Sequence, residues 1–174
     1  FQKVGKTIIF SDPVPLKDED ACHMGRRAAL IVNGVANACC RDNAETEILR
    51  DSGRWIEAAI PVGNGDRYVV VACVYGISGA NTYADCMAGN EKLMARALAR
   101  QAAFSDIPYV LCGDFNVLPE SSSAISDAVR CGRVKDIFYE RMCGEPANTY
   151  YSQGIHREMK GAGTSRLDYV LANA

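Results

Sequence analysis

The sequence has no long apolar run, no excess of one charge and very little histidine. No segment approaches the ~18 apolar residues that a membrane-spanning helix needs, and no leading stretch has the charged start and apolar centre of a signal peptide, so no membrane span is predicted. The 19 basic and 21 acidic residues give a formal net charge of -2. These totals carry no electrostatic signature of a nucleic-acid-binding protein. They do not exclude a local basic groove, because steering depends on how the charges are distributed.

Several common catalytic motifs are also missing. The sequence has no Gly-x-Ser-x-Gly elbow, no Gly-x-x-x-x-Gly-Lys phosphate loop and no His-Glu-x-x-His zinc motif. What is present is ordinary for a globular protein, with 48% hydrophobic and 23% charged residues. A length of 174 residues suits one domain.

The eight cysteines include no Cys-x-x-Cys pair, which argues against a zinc cluster. Several lie in apolar, strand-like runs such as residues 71–74 and 110–112, where cysteine acts as a small hydrophobic residue. Free buried thiols are typical of reducing compartments. The sequence therefore favours an intracellular, reducing location but does not identify the compartment.

Hydrophobic periodicity predicts strands interleaved with two helices. The strands are expected at residues 7–10, 27–32, 55–60, 68–75, 109–112, 148–151 and 167–171, and the helices at 85–104 and 120–131. The turn residues at 63–66 indicate a hairpin, and its apolar second strand indicates coverage on both faces. Hairpins mixed with helices predict an α/β fold, a two-sheet mixed β-sandwich flanked by helices, rather than a doubly wound parallel sheet.

A candidate site follows the predicted strand at 109–112. After Gly113, the residues Asp114 and Asn116 stand two apart, and in an extended segment their side chains would share one face. Their oxygens suit a hard cation such as Mg2+. The carboxylate can deprotonate a water and the amide can bond a phosphate oxygen. Because Gly, Asp and Asn also favour turns, the tetrapeptide alone leaves a turn and a metal site open.

Two further strand ends carry polar side chains. Alternation in residues 165–171 places Arg166 and Asp168 on one face and apolar residues on the other. A carboxylate there is costly unless it is used or paired, and a simple surface pair of these two residues is the alternative. Tyr75 ends the strand at 68–75, and its hydroxyl can donate to a phosphate oxygen or simply rest in water above an apolar ring.

Taken in order, these runs resemble the exonuclease–endonuclease–phosphatase superfamily over residues 26–172. They are a strand ending in Tyr75, an amphipathic helix, a strand ending in Gly113-Asp114-Phe115-Asn116, and later the Thr149-Tyr150 pair and the run at 166–171. Members include apurinic endonucleases, pancreatic deoxyribonuclease, endonucleases of non-LTR retroelements, deadenylases, sphingomyelinases and inositol polyphosphate phosphatases. The resemblance implies a four-layer α/β/β/α sandwich and phosphoester hydrolysis with Mg2+, or with Mn2+ in its place.

The resemblance also implies a role for each candidate residue. Asp114 would activate the attacking water, and Asn116 would hold the scissile phosphate and, with Asp114, position the metal. Tyr75 would donate to the phosphate, and Asp168 would orient a catalytic histidine. Apart from the resemblance, Arg166 is a basic residue near the presumed site and is expected to bind the substrate through its phosphates. The expected activity is that of an endonuclease or exonuclease cleaving nucleic-acid phosphodiesters, carried out by a monomer.

The chain departs from the family at both ends. The family's earlier Asn and metal-binding Glu, and its later Ser-Asp-His strand, have no counterpart, and His23 and His156 lie in other contexts. Residues 1–174 are therefore expected to form a single such domain that lacks its first and last strands. Two alternatives stay open. One is a phosphatase or phosphodiesterase acting on inositol phosphates, nucleotides or lipids, and the other is a catalytically dead interaction domain.

Overall fold

The computed structural model of the protein describes residues 5–11, 28–38, 44–63, 67–137, 140, 150–151, 164–165 and 167–173. The strands are β1 Lys6–Phe10, β2 Ala29–Asn33, β3 Asn37–Ala38, β4 Trp55–Pro61, β5 Tyr68–Tyr75, β6 Tyr109–Asp114, β7 Val134–Asp136, β8 Tyr150–Tyr151, β9 Thr164–Ser165 and β10 Asp168–Asn173. The helices are α1 Ala44–Asp51, α2 Ala84–Ala102 and α3 Ser123–Arg130, with a 3-10 turn at Pro119–Ser121. In this part of the chain no helix has the length and hydropathy to cross a bilayer.

Six strands form a mixed central sheet in the order β3-β4-β5-β6-β10-β7. β4 and β5 pair antiparallel as the predicted hairpin, whereas β5 and β6 pair parallel and are joined through α2. β10 lies antiparallel between β6 and β7. This order brings the ends of β5 and β6 and the start of β10 to the same edge of the sheet.

The three helices cover one face of the central sheet. Along α2 the buried apolar residues recur at helical spacing, including Leu93, Met94, Ala97 and Leu98, and they pack against alternate residues of β5 and β6. Leu49 of α1 joins the same cluster. Burial of each such side chain contributes roughly 1.5–3 kcal/mol, so this interface is the main core.

The opposite face of the central sheet packs against a second sheet, formed by β1 and β2. Leu30 and Val32 of β2 meet Ile56 and Ala58 of β4, and residues of β5 pack against this second cluster. Both faces of β5 are therefore covered, as its apolar sequence predicts. Helices on a mixed sheet that faces another sheet confirm the predicted α/β sandwich class.

The predicted strands and helices are observed with shifted ends. The predicted helix at 120–131 divides into the 3-10 turn and α3, because Ser122 adopts an extended conformation and caps α3. Its hydroxyl accepts a hydrogen bond from the Ile125 N–H at 3.3 Å. The sequence analysis did not predict α1, β3, β7 or β9.

Candidate active site

Three of the predicted site residues meet at one edge of the central sheet. The strand register pairs Asp114 with Tyr75 on the parallel side and with Asp168 on the antiparallel side. Neighbouring strands lie about 4.8 Å apart. The sheet therefore gathers a phenol and two carboxylates from positions that are 93 residues apart in the sequence.

The carboxylate of Asp114 is half-buried and faces another negative charge. Burial raises the pKa of Asp114, and the nearby charge of Asp168 raises it further, while a bond from the Asn116 N–H lowers it. The net result is a pKa above the usual value for an aspartate. A raised pKa makes the ionised carboxylate a better proton acceptor than an exposed one.

Asn116 stands in a left-handed turn, so the segment after Asp114 is not extended. Its φ is +52°, a region that Asn tolerates better than most residues. The prediction that residues 114 and 116 share one face of an extended segment is therefore wrong. They are joined instead by the bond from the Asn116 N–H to Asp114 Oδ1, at 3.0 Å. The Asn116 Nδ2 donates to the Gly76 carbonyl at 3.1 Å, which fixes the orientation of the amide.

Two glycines allow the backbones of the site to cross closely. The Gly76 N–H donates to the Asp114 carbonyl at 2.7 Å, and a Cβ added at Gly76 would lie 2.1 Å from the Phe115 oxygen. At Gly113, where φ is +138°, a Cβ would lie 2.0 Å from the Val74 oxygen. The loop after β5 and the loop after β6 are therefore in backbone contact.

Arg54 supports the Tyr75 side of the site. Its Nη1 donates to the Gly76 carbonyl at 2.8 Å, and its guanidinium lies 5.4 Å from the centre of the Tyr75 ring. The Tyr75 hydroxyl hydrogen-bonds with the Ser78 hydroxyl at 3.2 Å. The Arg54 side chain therefore holds the backbone and the ring at the end of β5.

Asn90 of α2 links the two loops by hydrogen bonds, and this role was not predicted from the sequence. It is completely buried; its Oδ1 accepts from the Ile77 N–H at 2.8 Å and its Nδ2 donates to the Phe115 carbonyl at 3.0 Å. A signal was present, because asparagine is a poor residue for a helix interior, and here it interrupts a run of good helix formers.

The start of β10 alternates as predicted. Leu167 and Tyr169 are buried, whereas Asp168 is exposed at the edge of the sheet. Arg166, predicted to bind substrate, lies outside the described residues, as do Thr149 and both histidines.

Two side chains at this edge are of types that bind divalent cations in proteins. Asp114 and Asn116 offer a carboxylate and an amide oxygen, which are ligand types that Mg2+ accepts. A cation would also offset the repulsion between Asp114 and Asp168. Over the described ranges, no group of three or more His, Cys, Asp or Glu side chains is placed to hold a metal.

No family model matches this sequence, and no curated protein is similar to it. Solved structures do match. An AP endonuclease from Archaeoglobus fulgidus superposes with a TM-score of 0.65 at 18% identity, over 97% of this chain and 67% of that one. The chain has the exonuclease–endonuclease–phosphatase fold. The human Nocturnin catalytic domain shares this fold with a TM-score of 0.59 at 16% identity, over 97% and 61% of the two chains.

A third structure with the exonuclease–endonuclease–phosphatase fold, AP endonuclease LMAP from Leishmania major, matches with a TM-score of 0.53 at 14% identity. It covers 71% of this chain and 47% of that one. The chain thus spans about two thirds or less of the length of these three structures. The fold suggested by the sequence motifs is confirmed, and the roles of individual residues are matters for proposal.

Proposed function

We propose that the protein is a divalent-cation-dependent phosphoester hydrolase that cleaves nucleic-acid phosphodiesters. The main support for this proposal is that Tyr75, Asp114 and Asp168 lie side by side on three adjacent strands, with Asn116 next to them. Two of the structures with the same fold are AP endonucleases, which supports a nucleic-acid substrate for this chain.

Asp114 is assigned the general-base role. Its raised pKa favours proton acceptance, and the Asn116 N–H holds its Oδ1 in a fixed direction. The carboxylate would accept a proton from the attacking water. Asn116 and the Tyr75 hydroxyl would hold phosphate oxygens by hydrogen bonds.

Asp114 and Asn116 would hold the cation, Mg2+ or Mn2+. When bound, such a cation neutralises charge on phosphate oxygens and polarises the phosphorus centre. Asp168 adds a second negative charge beside this position, and this charge would strengthen cation binding. The same carboxylate would orient a catalytic histidine. Arg166, by its place in the sequence next to β10, would contact a phosphate.

The test is cleavage of plasmid DNA and of a duplex with one abasic site by the full-length protein. Activity is expected with Mg2+ or Mn2+ and not with a chelator. Asp114→Asn should lower the rate by roughly 10²–10⁴-fold, the usual contribution of a general base. Asp106→Asn is the matched control, because Asp106 is exposed near the start of β6, away from the site edge. No cleavage, or equal rates for Asp114→Asn and the parent, would refute the proposal.

A second candidate is hydrolysis of a small phosphoester such as an inositol phosphate, a nucleotide or a lipid headgroup. The net charge of -2 favours it, since the chain has no overall basic character to attract a polyanion. A panel of these esters, assayed with the same variants, separates the two candidates. Cation-dependent turnover of a small ester without DNA cleavage would favour the second.

A third candidate is a catalytically dead interaction domain that keeps the fold. The gene sequence on either side of this segment tests it directly. Substrate binding by the full-length protein without turnover of any ester would support this candidate.

A further inference from the structure

Two cysteines lie side by side on the strands that carry the site. Cys73 of β5 and Cys112 of β6 are direct partners in the parallel register, so their side chains leave the same face of the sheet. The interaction between the two thiols lowers the pKa of Cys73 and, together with burial, raises the pKa of Cys112. Both are partly exposed and neither forms a disulfide. Cys112 also donates to the Ala72 carbonyl at 3.4 Å.

We propose that Cys73 and Cys112 form a redox-active dithiol that hydrogen peroxide oxidises to an intramolecular disulfide. One sulfur attacks a peroxide oxygen, which gives a sulfenic acid and releases water. The second sulfur then displaces that hydroxyl as a second water, and the S–S bond forms. Two thiols and one hydrogen peroxide give one disulfide and two waters, with two electrons passing from sulfur to oxygen.

The strand geometry allows this bond but strains it. Paired Cα atoms on neighbouring strands lie about 4.8 Å apart, inside the ~4.4–6.8 Å range of disulfides. Parallel side chains keep their Cβ atoms at nearly the same spacing, however, whereas a relaxed disulfide needs about 3.8 Å. The bond must draw β5 and β6 together, and strained disulfides are the easily reduced, regulatory kind.

The position of the dithiol connects it to the candidate site. Cys73 precedes Tyr75 by two residues, and Cys112 precedes Asp114 by two. A bond that pulls the two strands together would alter the spacing of their last residues. The chemical inference does not depend on the proposed hydrolase activity, because the disulfide can be detected without any substrate.

The test uses the reduced full-length protein exposed to an equivalent of hydrogen peroxide. Remaining thiols are alkylated, and digestion with trypsin and chymotrypsin separates Cys73 from Cys86. Mass spectrometry should show the Cys73 peptide linked to the Cys112 peptide, with a loss of two hydrogens. A glutathione buffer should restore both thiols. Cys86 and Cys131 should stay alkylatable.

Two variants make the result specific. Cys73→Ser should leave Cys112 unlinked, while Cys131→Ser, at an exposed position after α3, should form the linked peptide like the parent. Independent oxidation of the two thiols to sulfinic acid, or linkage of either to a different cysteine, would overturn the proposal. The parent protein alone decides this, so a poorly folded variant does not weaken the test.

Discussion

At Asp114 the needs of stability and of the proposed catalysis are opposed. The fold half-buries this carboxylate and sets Asp168 beside it, which raises the pKa of Asp114. A group that binds its proton more tightly when folded loses stability as the pH rises through its pKa. At neutral pH the ionised side chain therefore costs folding free energy whenever no cation is bound.

Asp114→Asn should consequently be more stable than the parent in the absence of divalent cations. The amide keeps an acceptor for the Asn116 N–H and removes the charge. The gain should stay below ~1 kcal/mol because solvent screens a half-exposed charge. In thermal unfolding with a chelator, the variant should have a higher Tm than the parent. Added Mg2+ should raise the Tm of the parent and leave that of the variant unchanged. A lower Tm for the variant would contradict this reading of the carboxylate.

Asn90 should be required for the joined loops. Asn90→Ala leaves the Ile77 N–H and the Phe115 carbonyl without their partner in a buried place. Each such loss costs about 1–3 kcal/mol, so we expect a loss of roughly 2–5 kcal/mol in urea unfolding. Asn81→Ala, at an exposed turn residue before α2, is the control and should change stability by less than ~0.5 kcal/mol. Similar stabilities for both variants would show that the Asn90 bonds to the two loops do not stabilise the fold.

Residue-level prediction from the sequence succeeded where a motif is local and failed where a contact is distant. Asp114 and Asn116 are visible because they follow a buried strand within one short run. Asn90 bonds to residues 13 and 25 positions away, and no local pattern encodes those contacts. At Asn116 the sequence left a turn open beside an extended segment, and the structure has the turn, in which the Asn116 amide bonds to the Gly76 carbonyl across the loop.

At the scale of elements, Glu91 connects α2 to the beginning of α3. Its carboxylate accepts from the Ser122 hydroxyl at 2.7 Å, from the Ala124 N–H at 2.6 Å and from the Ser123 hydroxyl. Burial raises the pKa of Glu91, but the bonds from these three residues outweigh it, and the net pKa is lowered. Negative charge at a helix N-terminus is also favoured by the helix dipole.

Glu91→Gln should therefore reduce stability at neutral pH and have little effect in acid. A carboxyl whose pKa is depressed in the folded state stabilises it above the unfolded value and loses this effect as the pH falls through the folded pKa. The difference in unfolding free energy between parent and variant should shrink as the pH falls below 4.5, the ordinary pKa of a glutamate. Urea unfolding at neutral pH and at several pH values below 4.5 measures this difference, and Glu47→Gln at an exposed position is the control. A constant difference at all pH values would exclude the charge as its cause.

Gly113→Ala should be far more disruptive than its conformation alone suggests. The new Cβ would overlap the Val74 oxygen, so β5 and β6 would have to separate. We expect a loss above ~3 kcal/mol. Gly132→Ala is the matched control, since φ there is +67° with nothing within 4 Å, and it should cost about 1–2 kcal/mol. Equal losses would mean that backbone strain, not overlap, explains both.

Long elements with regular patterns were predicted, and short ones were not. β5 and α2 present buried residues at the spacing of their period, and β4 begins with four buried residues in a row. β3 and β9 have two residues each and β7 has three, too few to show any alternation. They exist because a neighbouring strand offers hydrogen bonds, which is tertiary information.

Across the whole molecule, a buried ion pair joins the sheet to its longest helix. Arg100 of α2 makes two hydrogen bonds to Glu57 of β4, at 2.7 and 3.0 Å, and the Tyr109 hydroxyl of β6 donates to the same carboxylate at 2.7 Å. The two charged side chains are 4% and 0% exposed. Removal of one partner would leave a charge in a dry core.

Arg100→Met should cost about 3–5 kcal/mol, because Glu57 is left uncompensated. The double variant Arg100→Met with Glu57→Gln should recover part of this loss, since the remaining amide carries no charge and still accepts from Tyr109. Urea unfolding of the parent, both single variants and the double variant gives the coupling energy. A double variant that loses the sum of the two single losses would show that the pair does not act as a unit.

The place of β10 between β6 and β7 has a consequence for synthesis on the ribosome. β6 and β7 are translated before β10, yet each finds its sheet neighbour in β10. Until residue 173 has left the exit tunnel, both strands present unpaired backbone edges, and the Asp114–Asp168 pairing cannot form. Nascent chains stalled before this point should therefore resemble aggregation-prone intermediates, because the edge that carries Asp114 closes only when β10 pairs with β6.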